Sequence, residues 1–169
     1  RSAGDDVVIV DGKTGDVQAR IRLDTGWGPA LPLDLTGDGR RDLLIPSNDT
    51  LAAFDGDTLE PLWRFYADGP VNDAPLAGDF DGDGRQDIAV FSTTGHVAVL
   101  AAESPPILWK QSAPQWHTDR VVPAGGVLLA PSRRPMRVLR AADGGAERDF
   151  GAISAELASV AVVDGVPIA

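Results

Sequence analysis

The chain repeats itself, and a repeat constrains architecture more tightly than any single motif. Asp34–Ser47 reads DLTGDGRRDLLIPS, and Asp79–Ser92, 45 positions on, reads DFDGDGRQDIAVFS. The match continues downstream: LAAFDGDTLEPLWRF begins at Leu51 and VAVLAAESPPILWKQ at Val97, with Trp63 and Trp109 at the same place in each copy. A weaker third copy, Val127–Phe150, keeps two apolar runs and a turn but has lost the aspartates.

Each copy contains four short runs of strand type. In the second they are APLAGDF, DIAVFS, HVAVLA and ILWKQ, separated by DGDG, TTG and ESPP. Short alternating runs punctuated by Gly, Pro, Asp and Ser predict antiparallel strands joined by hairpins. ISAELASVAVV, from Ile153, is the best helix candidate, but it turns β-branched at its end and is read as non-helical. Four strands per unit of about 45 residues is the spacing of a β-propeller blade. The fold expected is therefore all-β, a propeller of four-stranded antiparallel blades. The 19 glycines and 13 prolines are spread along the chain as such turns require.

The two ends complement each other. VDGVPIA closes the chain like the second strand of a blade, and GDDVVIVDGKTGDVQARI near the start resembles a blade's second half. A single domain over 1–169 follows, with blades 24–66, 67–112, 113–151, and a fourth shared between 152–169 and 1–23. Sharing a blade removes two open sheet edges. The rival expectation is a piece of a longer ring, or two chains forming a homodimer that completes one. The sequence starts at Arg1 and is read as a processed or excised fragment.

Charge narrows the partners. Asp and Glu number 25 against 15 Lys and Arg, a net charge of −10. No basic face is available for nucleic acid or for anionic membrane surfaces, and no apolar run approaches the length that spans a bilayer. Cysteine is absent, which excludes disulfides and thiolate zinc sites. SRRPMR, 132–137, is the one basic cluster, either a solvated turn or a contact for an acidic partner.

The aspartate loops carry the chemistry. Counting Asp79 as position 1, carboxylates fall at 1, 3, 5 and 9 (Asp79, Asp81, Asp83 and Asp87), with Gly84 at 6 and the Arg85 carbonyl at 7. Alternate oxygen ligands in a tight loop suit a hard cation such as calcium, Ca2+. The loop is not an EF-hand, because position 12 is Val90 and the flanks read as strands. The earlier loop has Asp34, Asp38 and Asp42 at 1, 5 and 9 and Arg40 at 7, but Thr36 at 3, so weaker ion binding is expected. The plain alternative is that both loops are Asp-Gly hairpin turns.

APLAGDFDGDGRQDIAVFS resembles the FG-GAP repeat of integrin α-subunits and of many bacterial surface and secreted proteins. VVIVDGKTGDVQARI and LAAFDGDTLEPLWRF are also similar to quinoprotein-type (PQQ-like) propeller repeats. The resemblance implies a propeller with calcium in the hairpin loop between the first two strands of a blade, in a protein working outside the cytosol. The blade count is below that family's usual number, and half the blades lack the loop. Fold alone does not set function.

Catalytic constellations are sparse. His96 lies in the turn TTGHV, where solvation is expected, and His117 in a blade connection; neither has a metal-ligand spacing to another His. No nucleophile elbow or phosphate-binding loop occurs. Trp63 and Trp109 are assigned to packing between blades. Trp27 and Trp116, where the chain enters a blade, are the candidates for a binding surface. The functional expectation is a non-catalytic recognition module, an adhesion or sensor part of a larger extracellular, periplasmic or cell-surface protein, with a protein or glycan ligand. The alternative is a lectin-like or carbohydrate-active propeller.

Overall fold

The computed structural model describes residues 6–23, 28–71, 73–102, 107–112, 122–124, 126–130, 137–149, 161–163 and 166–168. Three four-stranded antiparallel sheets follow one another along the chain. The first contains β3 (Leu31–Leu33), β4 (Asp42–Ser47), β5 (Thr50–Phe54) and β6 (Pro61–Tyr66). The second contains β7 (Leu76–Gly78), β8 (Asp87–Phe91), β9 (His96–Ala101) and β10 (Ile107–Ser112). The third contains β11 (Val122–Ala124), β12 (Val127–Ala130), β13 (Arg137–Arg140) and β14 (Ala146–Asp149). Each strand pairs with its chain neighbour, so every sheet is a meander.

Two hairpins flank them. β1 (Asp6–Val10) pairs with β2 (Val17–Arg22), and β15 (Ala161–Val163) with β16 (Val166–Ile168). β15 falls within ISAELASVAVV, whose earlier residues lie outside the described ones. Among the described residues no ladder joins β16 to β1. The shared fourth blade thus stays an expectation from the repeat.

The β1–β2 hairpin has the local geometry of the second half of a sheet. In β1–β2, β5–β6, β9–β10 and β13–β14 alike, the register shifts once. The tight turn between the strands also recurs. Asp11 N donates to Asp16 O and Gly15 N to Asp11 O, each at 2.8 Å. Asp55, Glu60 and Leu59 repeat this pair at 2.9 Å, and Arg140, Gly145 and Gly144 do so at 2.8 and 2.9 Å. The turn needs a left-handed residue, which is Gly15 (φ 78°), Leu59 (φ 59°) and Gly144 (φ 68°) in the three copies. Leu59 is the strained one, and its side chain packs on the core between the hairpin and the first sheet.

Side-chain alternation gives the first and second sheets two apolar faces. In the first sheet Leu44, Leu51 and Ala53 face the second sheet, against Ile88, Val90, Ala98 and Leu100. Ile45, Ala52 and Phe54 face the other way, against Ile21, Leu23, Val7 and Ile9 of the hairpin. In the second sheet Ala89, Val97 and Val99 turn to Leu128 and Leu139 of the third. The core is therefore a series of layers between successive sheets, as period-2 alternation requires when neither face meets water.

Both tryptophans lie in these layers. Trp63 packs between the first and second sheets. Trp109, 8 % exposed, packs between the second and third, and its Nε1 donates to Ala141 O at 2.5 Å. Gly144 lies under the Trp109 ring so closely that an added Cβ would fall 2.4 Å from Cε3. Trp63 Nε1 is buried with no partner among the described residues. The two residues occupy equivalent places but not equivalent hydrogen-bonding situations. Truncation of either to Ala is expected to cost roughly 3–5 kcal/mol. Replacement by Phe separates them: Trp109→Phe should cost ~1–3 kcal/mol more than Trp63→Phe, because it strands the Ala141 carbonyl whereas Trp63→Phe removes an unpaired donor. Urea unfolding of both Phe variants checks the order.

Candidate metal loops and their hydrogen bonding

Each aspartate loop connects the first two strands of its sheet: residues 34–41 between β3 and β4, and residues 79–86 between β7 and β8. The loops are built alike. Position 9 is buried. Asp42, 1 % exposed, accepts Leu35 N at 2.9 Å and Thr36 N at 3.1 Å through Oδ2. Asp87, 2 % exposed, accepts Phe80 N at 2.8 Å and Asp81 N at 3.3 Å in the same way. This aspartate opens its strand and folds the loop back onto it by satisfying two backbone donors.

Position 1 braces the far side. Asp34 accepts Gly37 N at 2.7 Å and Gly39 N at 2.9 Å. Asp79 accepts Gly82 N at 2.7 Å and Gly84 N at 3.0 Å. All four glycines have positive φ, from 77° to 86°, and a Cβ there would meet nothing within 4 Å. Backbone conformation, not space, dictates glycine. At position 5, Asp38 Oδ1 accepts Arg40 N and Asp83 Oδ1 accepts Arg85 N, both at 2.8 Å. The Arg40 guanidinium turns away to an ion pair with Asp57 in the β5–β6 turn.

The loops differ where a cation would be held. Ligand oxygens of Asp79, Asp81 and Asp87 lie within 4.8 Å of one another. A calcium ion with Ca–O bonds of about 2.3–2.6 Å bridges oxygens up to about 5 Å apart, so this donor set fits the ion's size and its preference for carboxylate oxygen. Asp83, expected from spacing to complete the set, is not among the converging carboxylates. In the first loop Thr36 stands in the place of Asp81, and among the described residues Asp34, Asp38 and Asp42 do not form such a group. There, Asp42 Oδ1 accepts Gly56 N at 3.0 Å from the neighbouring turn. Gly56 is required for this approach, since a Cβ would fall 1.9 Å from Arg41 O.

The carboxylates also act on one another. Burial pushes the Asp87 carboxyl above the ordinary range; the Phe80 N–H opposes this, and the charges of Asp81 and Asp83 add to the rise.

The remaining candidates fall elsewhere. Trp27, Trp116, His117 and residues 132–136 of the basic cluster lie outside the described residues. His96 does not sit in a solvated turn. It opens β9, is half-buried, and its Nδ1 is buried without a partner among the described residues. The TTG run before it makes the turn instead, with Gly95 N donating to Ser92 O at 3.0 Å.

The buried position-9 aspartates give a direct test. Asp42→Ala leaves three backbone donors without their acceptor and is expected to destabilise by roughly 3–5 kcal/mol. Asp38→Ala, which loses one exposed turn bond, should cost below about 1 kcal/mol. Chemical denaturation of the two variants without added metal measures the contrast.

Comparison with known proteins agrees with this geometry. Residues 34–90 match the family described as FG-GAP-like repeat. A search of curated proteins finds no match. Among solved structures, BamB from Moraxella catarrhalis superposes with a TM-score of 0.66 at 13 % identity, over 97 % of this chain and 54 % of that one. The computationally designed Ika4 protein gives 0.60 at 14 %, over 75 % and 76 %. KlHsv2 with loop 6CD replaced by a Gly-Ser linker gives 0.58 at 14 %, over 85 % and 45 %. The chain spans about half the length of BamB. At such identities the likeness is one of fold. The chain carries FG-GAP-like repeats, spanning residues 34–90, in an all-β fold of β-propeller type.

Proposed function

We propose that the chain is a non-catalytic recognition module, acting outside the cytosol, whose second aspartate loop binds calcium. The observation that carries the calcium reading is the convergence of Asp79, Asp81 and Asp87 at the end of a buried strand. Three like charges held this closely repel one another unless a cation lies between them. The ion would draw its remaining ligands from backbone carbonyls and water, and would fix the β7–β8 loop. Its role is structural. FG-GAP-like repeats on a propeller-type scaffold favour recognition, because such scaffolds present loops at the ends of packed sheets.

Calcium should raise the thermal midpoint and a chelator should lower it. A ligand bound only by the folded state stabilises by about 2.7 kcal/mol at a hundred times its Kd. Asp81→Thr, which gives the second loop the first loop's residue at position 3, should abolish the gain; Asp83→Ala should reduce it less. Thr36→Asp should add a second, weaker calcium-dependent gain. Identical melting with calcium and with chelator would discard the ion site.

The pH dependence has a defined sign. With the Asp87 pKa raised by folding, the calcium-free fold holds more protons than the unfolded chain above the ordinary carboxylate value of about 3.9. Its contribution to stability therefore falls as pH rises through that window. Calcium binds the ionised carboxylates, so the calcium-dependent rise in midpoint should be larger at neutral pH than near pH ~4. Melting curves at both pH values, with and without calcium, read the difference.

A further inference from the structure

A polar cleft of about 210 Å³ lies away from the aspartate loops, where the end of β2 meets the β4–β5 turn and the outer strand β6. Arg22 reaches it from β2 and Arg64 from β6. Neither arginine has an ion pair or hydrogen bond among the described residues. That is unusual in a chain with 25 acidic residues, where a carboxylate is seldom far away. One acid, Asp49, shares the lining, and its Oδ1 is engaged by the Thr50 hydroxyl at 3.3 Å. Two guanidinium groups against one carboxylate leave the cleft positive.

Its walls are preformed. Arg64 and Tyr66 pair across the sheet with Ala52 and Thr50, so all four share one face. The β4–β5 turn is tied to the next connection, with Val71 N donating to Asn48 O at 2.7 Å and Ala67 N to Asp49 O at 2.8 Å. Asn48 takes the left-handed conformation, φ 52°, to make that turn. Tyr66, 68 % exposed, stands in the lining as a large ring with no cover among the described residues.

The geometry points to this cleft as a binding site for the carboxylate of an acidic sugar, such as the terminal uronic-acid unit of an oligosaccharide. A planar guanidinium matches a carboxylate bidentately. The Tyr66 ring offers an apolar face to the C–H side of a pyranose and a hydroxyl at its tip. Asn48 and Thr50 supply the polar groups that sugar hydroxyls need. The volume is below the about 300–1,000 Å³ of a drug-sized site and suits one sugar ring. The net charge of −10 repels polyanions at long range, which favours a short uronate of low charge over a sulfated or phosphorylated chain.

This inference rests on the reading of the chain as a recognition module, but not on calcium. The full chain is titrated with digalacturonate, its methyl ester and inorganic phosphate, by NMR and calorimetry, with calcium and with chelator. Saturable digalacturonate binding is expected in both conditions, at least about tenfold tighter than the ester. Arg22→Gln and Arg64→Gln should each weaken it by about tenfold with unchanged melting, and Tyr66→Ala by several-fold. Absence of saturable binding, equal affinity for the ester, tighter binding of phosphate, or indifference to both arginine variants would overturn the site. A glycan-array ligand unaffected by those variants would keep the recognition module and reject this cleft. Cleavage of digalacturonate would keep the cleft and reject the non-catalytic reading.

Discussion

The second sheet, β7–β10, has apolar side chains on both faces, and each face is covered by a neighbouring sheet. Ile88 and Val90 meet Leu44 and Leu51 on one side; Ala89 and Val99 meet Leu128 and Leu139 on the other. A sheet of this composition is not stable alone, because either face left in water would forfeit the burial that offsets chain entropy. Successive sheets therefore have to stack, and the stacking sets everything else. It puts the outer strands and connecting loops at the surface, and it aligns equivalent loops from one repeat to the next.

The buried aspartates show how that stacking and the loop chemistry are joined. Asp42 and Asp87 sit at the start of the second strand of their sheets, already inside the packed region, and each satisfies backbone donors of the loop before it. The same residue thus serves the fold and, at Asp87, contributes an oxygen to the converging group. A carboxylate buried by the core and faced by Asp81 is held in a poor environment for a free charge. In the first loop, Thr36 removes one charge and Gly56 N from the adjacent turn takes up the other oxygen of Asp42. The two loops share a backbone and differ in electrostatics.

The arginine cleft depends on the packing in another way. Arg22 and Arg64 are 42 positions apart and belong to different sheets. They meet because the hairpin packs Ile21 and Leu23 onto Ala52 and Phe54, which brings the end of β2 to the β4–β5 turn. No spacing rule relates the two residues, so no motif marks them. The exposed Tyr66 fits the burial alternation of β6, and a strand-end tyrosine by itself indicates nothing about a neighbour from another sheet.

The repeat alone determined the strands of the second sheet, the hairpin turns and the aspartate loops, because strand alternation and turn chemistry are local and recur in each copy. It also assigned Trp63 and Trp109 to the layers between sheets, since a large apolar residue at the same place in two copies must meet the same kind of neighbour. What the sequence could not decide was which carboxylates converge. Spacing treats positions 1, 3, 5 and 9 alike, whereas the folded loop buries position 9, turns position 5 to its own backbone, and leaves Asp79, Asp81 and Asp87 together. His96 was misplaced for a related reason: a polar residue beside Gly reads as turn, but β9 extends to include it in the ladder with Ser112. Local chemistry writes the elements, and only the three-dimensional packing of one sheet on the next decides which side chains face each other, because contacts between sheets depend on positions the chain brings together from far apart.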